Sequence, residues 1–171
     1  MIARFVLLLS LFVLLPMPAH SQGLVWGVLK KQIRDAFPEV QQVSVDSLAS
    51  LLETDAEPLL LDIREVDEYA VSHLNGAMQV DPDAPVDVLA GVDKDALIVA
   101  YCSVGYRSSA FADRLREAGF SNVHNLEGSI FAWANAGYPV VRDTLAIEVV
   151  HPYNKRWGLL LKRRYRADID R

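Results

Sequence analysis

The residues best placed to do chemistry lie in one short stretch, Tyr101-Cys102-Ser103-Val104-Gly105-Tyr106-Arg107-Ser108. Cys102 is the only cysteine in the chain, and Gly105 and Arg107 follow it closely. Ala96 to Tyr101 is an apolar run that reads as a buried strand, and Ser108 to Ala118 has helical composition up to Gly119. The cysteine therefore sits at the carboxyl end of a strand, the edge where open α/β sheets bind ligands. A tight loop containing Gly105 turns successive backbone N–H groups inward, which makes a nest for an anion. The following helix adds the partial positive charge of its N-terminus, and Arg107 adds a full one. A thiol in that setting titrates below its ordinary range and is a thiolate at neutral pH. Against this stands the commoner fate of a lone cysteine, a small inert hydrophobe in a core.

Other elements must hold that loop in place. Trp26, Leu29, Ile33 and Phe37 recur at three- and four-residue spacing over 24–37 and predict an amphipathic helix that stops at Pro38. Gln42 to Val45 reads as a short strand, and Asp46 as the cap of a helix running to Glu53. Leu59-Leu60-Leu61 is an apolar run ending at Asp62, as expected of a strand buried on both faces. A short helix from Glu65 to Val71, a strand over Ala77 to Val80 and an Asp/Pro-rich loop follow. Asn122 to Leu126 reads as a further strand, and Glu127 to Asn135 as a helix ending near Gly137 and Pro139. Strands alternating with helices predict an α/β fold, a parallel sheet with helices on both faces.

With these elements in order, residues 102–107 match Cys-x-x-Gly-x-Arg, and from about Val43 to Val141 the chain resembles the rhodanese family. Asp62-Ile63-Arg64 with Glu68-Tyr69 is similar to that family's first signature, and Ser72-His73-Leu74 with Gly76-Ala77 to its second. Glu127-Gly128, Ala132-Trp133 and Gly137-Tyr138-Pro139-Val140 correspond to its last helix and domain end. Ser72 and Ser129 stand where the family often has glycine. The resemblance implies a rhodanese-like parallel sheet and a sulfurtransferase with Cys102 as nucleophile. Ser103, Val104, Gly105, Tyr106, Arg107 and Ser108 would bind the substrate. It further implies a small sulfur-donor anion such as thiosulfate, a thiol or cyanide as acceptor, and a persulfide on Cys102. No cofactor is needed, because the cysteine carries the transferred group. Two alternatives remain open: a non-catalytic rhodanese module that binds a partner protein, and a Cys-based phosphatase or redox enzyme. Phosphatase relatives of the fold place five residues between Cys and Arg, whereas four intervene here, which favours sulfur transfer.

Several other residues carry weaker signals. Asp62 and Arg64 read as supporting residues that fix neighbouring loops, with a salt bridge to Glu65 or Glu68. His73 reads as a buried histidine bonded to backbone rather than a base, and Trp133 as core. The His, Cys and Asp residues lack metal-ligand spacing, and no metal is expected.

Composition bounds the rest. The 171 residues are 51% hydrophobic and 23% charged, which suits one packed domain with short extensions. Arg4, the apolar run Phe5 to Leu15, Pro16 and Pro18, and Ala19-His20-Ser21 together read as a secretory leader cleaved after Ser21. The run is shorter than the ~20 residues of a membrane span. An exported, periplasmic protein is therefore expected, with a signal peptide over 1–21, a helical extension over 22–41, the rhodanese domain over 42–142 and a basic extension over 143–171. In 155–171 seven basic residues face Asp168 and Asp170, a net of +5, while 22–154 is −11. Trp157, Leu160, Leu161 and Arg164 would share one face if the tail were helical. Such a face would attach to an anionic membrane surface or an acidic protein, or dock on the chain's own acidic body. Nucleic acid is not an expected partner of an exported acidic protein.

Overall fold

The computed structural model describes residues 19–169, so the apolar run Phe5 to Leu15 of the expected leader lies outside the described residues, while Ala19-His20-Ser21 begins the first helix. Five short strands form one parallel sheet: β1 (Gln41–Val43), β2 (Leu59–Asp62), β3 (Met78–Gln79), β4 (Ile98–Tyr101) and β5 (Val123–Leu126). Their order is β1-β5-β4-β2-β3, which puts β4 at the centre, between β2 on one flank and β5 on the other. Asp62 pairs with Tyr101, so the carboxyl ends of β2 and β4 lie level and their loops emerge side by side.

Alternation within β4 explains why the sheet is covered twice. Val99 and Tyr101 face one apolar cluster, and Ile98 and Ala100 face the other. On the first side pack α1 (Ala19–Ala36), α2 (Val45–Leu52) and α5 (Ser129–Ala136), through Leu29, Ile33, Leu48, Ile130 and Phe131. On the second side packs α4 (Tyr106–Glu117), through Phe111, Ala112 and Leu115. The helix α3 (Val66–Val71) follows β2, and a hairpin of β6 (Val140–Arg142) and β7 (Leu145–Ile147) follows α5. The expected α/β architecture, a parallel sheet with helices on both faces, is the one observed.

Local chemistry moved several boundaries. Ser44, not Asp46, caps α2: its hydroxyl accepts from the Ser47 N–H, and Asp46 lies in the first turn, where the Tyr138 hydroxyl donates to it at 2.8 Å. The last helix starts at Ser129 rather than Glu127, because Gly128 precedes it with φ +76. The hairpin β6–β7 turns through Asp143 at φ +55 and had no counterpart among the expected elements.

The basic tail is not an α-helix. It forms two 3₁₀ turns, Trp157–Leu160 and Arg163–Tyr165, closed by short internal bonds such as Leu161 N–H to the Gly158 carbonyl and Tyr165 N–H to the Lys162 carbonyl, while other groups bond to the body of the protein. Asn135 Nδ2 donates to the Leu160 carbonyl, the Lys162 N–H donates to Asn135 Oδ1, and Val150 N–H donates to the Tyr165 carbonyl. Leu160, Leu161 and Tyr165 are buried in the same cluster as Trp133 and α1, while Arg164 is exposed and donates to the Tyr165 hydroxyl at 2.6 Å. The tail therefore completes the core on that side. Leu161 is fully buried, so Leu161→Ala should destabilise the protein by about 2–5 kcal/mol, read as a lower urea midpoint.

Candidate active site

Gly105 sets the shape of the cysteine loop. Its φ of +114 lies where only glycine is comfortable, and a Cβ there would stand 3.3 Å from Asn125 Nδ2. From that turn α4 begins at Tyr106, two residues earlier than its composition predicts, so Arg107 belongs to the first helical turn. The carbonyls of Cys102 and Ser103 accept from the N–H groups of Ile130 and Phe131 at the start of α5. The opposite side of the loop backbone carries donors, and the Gly105 N–H donates to Cys102 Sγ at 3.1 Å.

Cys102 itself is only 1% exposed. Burial pushes its thiol up, since a charged sulfur loses hydration. The Arg107 guanidinium and the N–H groups of Ser108 and Gly105 more than reverse this, so the thiol is held below its ordinary range. The electrostatic environment expected from the loop is therefore present, and its physical sources are those residues. Ser108 is oriented from behind, donating to Asn125 Oδ1 at 2.6 Å, and Asn125 donates to Gln42 Oε1 at 2.7 Å.

Arg107 is held differently from a free anion-binding arginine. Its Nη1 donates to Glu68 Oε2 at 2.7 Å and its Nη2 to Glu68 Oε1 at 2.9 Å, a bidentate pair with a carboxylate that is 2% exposed. Nη2 also reaches Ser103 Oγ at 3.0 Å, and the Ser103 hydroxyl donates to Glu68 Oε1 at 2.7 Å. Burial raises the Glu68 carboxyl, and the stronger pull of Arg107 and Ser103 leaves it below the usual carboxylate range. Arg107 thus acts on the sulfur as a fixed charge through space. Glu68 was not among the expected site residues; its signals in the chain are its place in the Glu68-Tyr69 motif and the acidic pair at 65 and 68 that forms a capping box.

Asp62 and Arg64 form a second pair, but with each other. Arg64 Nε and Nη2 donate to the two oxygens of Asp62 at 2.7 and 2.6 Å, and Nη2 also donates to the Ser72 carbonyl. The expected bridge from Arg64 to Glu65 or Glu68 is absent, because Glu68 turns toward Arg107. Both members are fully buried and tie the β2 end to the segment after α3. His73 is buried with its ring nitrogen 3.2 Å from the Tyr69 carbonyl and its N–H bonded to the Val141 carbonyl, matching the backbone-bonded reading. Trp133 is in the core and donates to the Pro139 carbonyl.

The two serines that replace family glycines resolve in opposite ways. Ser72 has φ −171, extended backbone that any residue adopts. Ser129 has φ +52, a conformation that favours glycine, and its hydroxyl accepts from the Cys102 N–H at 3.0 Å while donating to the Leu126 carbonyl. The residue that departs from the family pattern holds the backbone of the cysteine.

Both extensions reach the loop. Ile33 of α1 would lie 3.6 Å from a Cβ on Gly105, and Phe37 meets Tyr106 edge-on with centroids 5.2 Å apart. Lys30 and Arg34 bridge to Glu127 at 3.1 Å each and hold α1 there. From the other side, Arg107 Cζ lies 5.0 Å from the Tyr153 ring centroid.

A carboxyl held below its unfolded value of about 4.3 stabilises the fold above that pH and loses its contribution as pH falls through the folded value. Urea midpoints of the wild type should therefore fall between neutrality and pH 3, with a shallower acid limb in Glu68→Gln. Removing the carboxylate from the Arg107 pair should itself destabilise the protein at pH 7 by about 3 kcal/mol.

Comparison with known proteins places this geometry. A family model described as "Rhodanese-like domain" matches residues 44–136, more than half of the 171-residue chain. Thiosulfate sulfurtransferase GlpE of Pseudomonas paraeruginosa is 32% identical over 104 residues, covering 61% of this chain and 92% of that relative. A sulfurtransferase of Allochromatium vinosum is 33% identical over 102 residues, covering 60% and 95% respectively. Among solved structures, the rhodanese-like domain of the Anabaena sp. Alr3790 protein superposes with a TM-score of 0.56 at 29% identity, covering 60% of this chain and 81% of that one. A rhodanese-related protein of Thermoplasma volcanium shares the fold at a TM-score of 0.55 and 24% identity, covering 60% of this chain and 99% of that one. The cysteine loop lies inside the matched residues and both extensions lie outside them, and the chain belongs to the rhodanese-like domain family.

Proposed function

We propose that the protein is an exported sulfurtransferase that moves sulfane sulfur from thiosulfate or a similar small donor to a thiol acceptor through a persulfide on Cys102. The observation that carries this reading is the buried thiol held below its ordinary range by Arg107, Ser108 and the Gly105 N–H. Relatives named thiosulfate sulfurtransferase and sulfurtransferase support it over the domain. The leader read from residues 1–21 supports export to the periplasm.

The chemistry follows in two steps. The Cys102 thiolate attacks the outer sulfur of thiosulfate, an S–S bond forms at Cys102, and the S–S bond within thiosulfate breaks with its electron pair leaving on sulfite. The persulfide keeps one negative charge, which the loop N–H groups, the α4 N-terminus and the Arg107 charge stabilise. An acceptor thiolate, or cyanide in a test tube, then attacks the outer sulfur, and the Cys102 thiolate departs unchanged. Because the sulfur is almost wholly covered, a narrow donor suits the loop better than a bulky one.

Incubation with thiosulfate should add one sulfur atom to the intact mass of the protein, reversed by cyanide and absent in Cys102→Ala. An unchanged mass with Cys102 free and reduced would sink thiosulfate as donor, and turnover of aryl phosphates instead would move the reading to a phosphatase. Alkylation of Cys102 should titrate below the ordinary thiol value of about 8.5, and Arg107→Gln should move that midpoint upward.

A further inference from the structure

Tyr153 lies beyond the family domain, in the turn that leads into the basic tail. Two features set it apart from an ordinary surface aromatic. Its backbone has φ +63, a strained conformation for a tyrosine, although its side chain is 45% exposed. Its ring lies against the guanidinium of Arg107, the one cation of the cysteine loop.

The surrounding turn imposes that conformation. The Tyr153 N–H donates to His151 Nδ1 at 3.1 Å, the Asn154 N–H to the Pro152 carbonyl at 2.7 Å, and the Gly158 N–H to the Asn154 carbonyl at 2.9 Å. Asn154 Oδ1 accepts from the Trp157 N–H, and Pro152 packs so closely on Gly158 that a Cβ there would stand 2.8 Å away. Val150, just before the turn, bonds to Tyr165 and Ala167 in the docked tail. The tail is thereby anchored in the core at one end and presents Tyr153 to the active loop at the other.

We propose that Tyr153 is a positioning residue for the cysteine site: its ring packs on Arg107, whose edge Glu68 and Ser103 already hold, and so shields that cation from water and fixes it beside Cys102. The reason is electrostatic. A guanidinium open to water has its field screened, whereas one flanked by a carboxylate, a hydroxyl and a ring projects more of its charge onto the nearby sulfur. Around Arg107 the titratable and charged groups are Glu68 on α3, Cys102 in the loop and Tyr153, with Arg64 acting on Glu68 from after β2. Only Tyr153 comes from outside the family domain.

The kinetic part of this inference rests on the sulfurtransferase reading, while Cys102 alkylation does not, so the two can fail separately. In the full chain, Tyr153→Gly relieves the left-handed backbone and removes the ring together; Tyr153→Phe keeps the ring. We expect Tyr153→Gly to hold or raise the melting temperature, yet lower kcat/KM with thiosulfate and cyanide by about two- to five-fold, the range open to a partly exposed cation–π contact. The midpoint of Cys102 alkylation by iodoacetamide should move upward in the same variant, with Tyr153→Phe matching the wild type in every readout. A Tyr153→Gly protein with wild-type alkylation and turnover would overturn the proposal. So would a loss that tracks a fall in melting temperature, which would make the contact merely structural. If the wild type carries no sulfur but the alkylation midpoint still moves, the positioning role stands and the sulfur-transfer reading falls.

Discussion

A thiol at the edge of a sheet, shut away from water, loses the hydration that its charged form needs. Around Cys102 that loss is reversed by an arginine in the first turn of α4 and by the N–H groups of Ser108 and Gly105. The rest of the site follows from this constraint. The donors converge only because Gly105 turns with a positive φ, and the loop keeps that turn only because α5 holds its carbonyls and Ser129 holds the Cys102 N–H. The sheet then supplies the level carboxyl ends of β2 and β4 on which both loops stand.

Fixing Arg107 is the second consequence. A long, flexible cation near a thiolate would swing toward solvent, with the entropy of its rotamers and its own hydration favouring exposure. Glu68, itself placed by the capping box of α3, engages the guanidinium edge in a bidentate pair, and the Tyr153 ring packs on it. Glu68 was drawn from water at a cost that only this geometry offsets. One carboxylate thus joins the helix after β2 to the helix after β4, and the site is a junction of elements more than a single loop.

The segments outside the family match belong to the same structure. Helix α1 and the residue after it lay Ile33 and Phe37 along the loop, and α1 is tied to Glu127 by Lys30 and Arg34. The tail buries Leu160, Leu161 and Tyr165 beside α5 and brings Tyr153 back to Arg107. A net charge of +5 over 155–171 left a surface partner and docking on the chain's own body as alternatives, and the apolar residues interleaved with those charges pack in the chain's own core.

What the chain determines by itself is local. Apolar runs over β2 and β4, the spacing of Trp26, Leu29, Ile33 and Phe37, and the order Cys102, Gly105, Arg107 establish the α/β class, the first helix and the loop, because periodicity and backbone preference act between near neighbours. A supporting place for Asp62 and Arg64 at the β2 end was legible too, but not that they are buried and pair with each other. Glu68, Ser129 and Tyr153 lie 34, 27 and 51 positions from Cys102, and nothing in their immediate surroundings marks them as its neighbours. Only the folded sheet brings them together, because a buried charge takes whichever partner the fold places within reach, and that distance is set by the packing of the whole chain rather than by spacing along it.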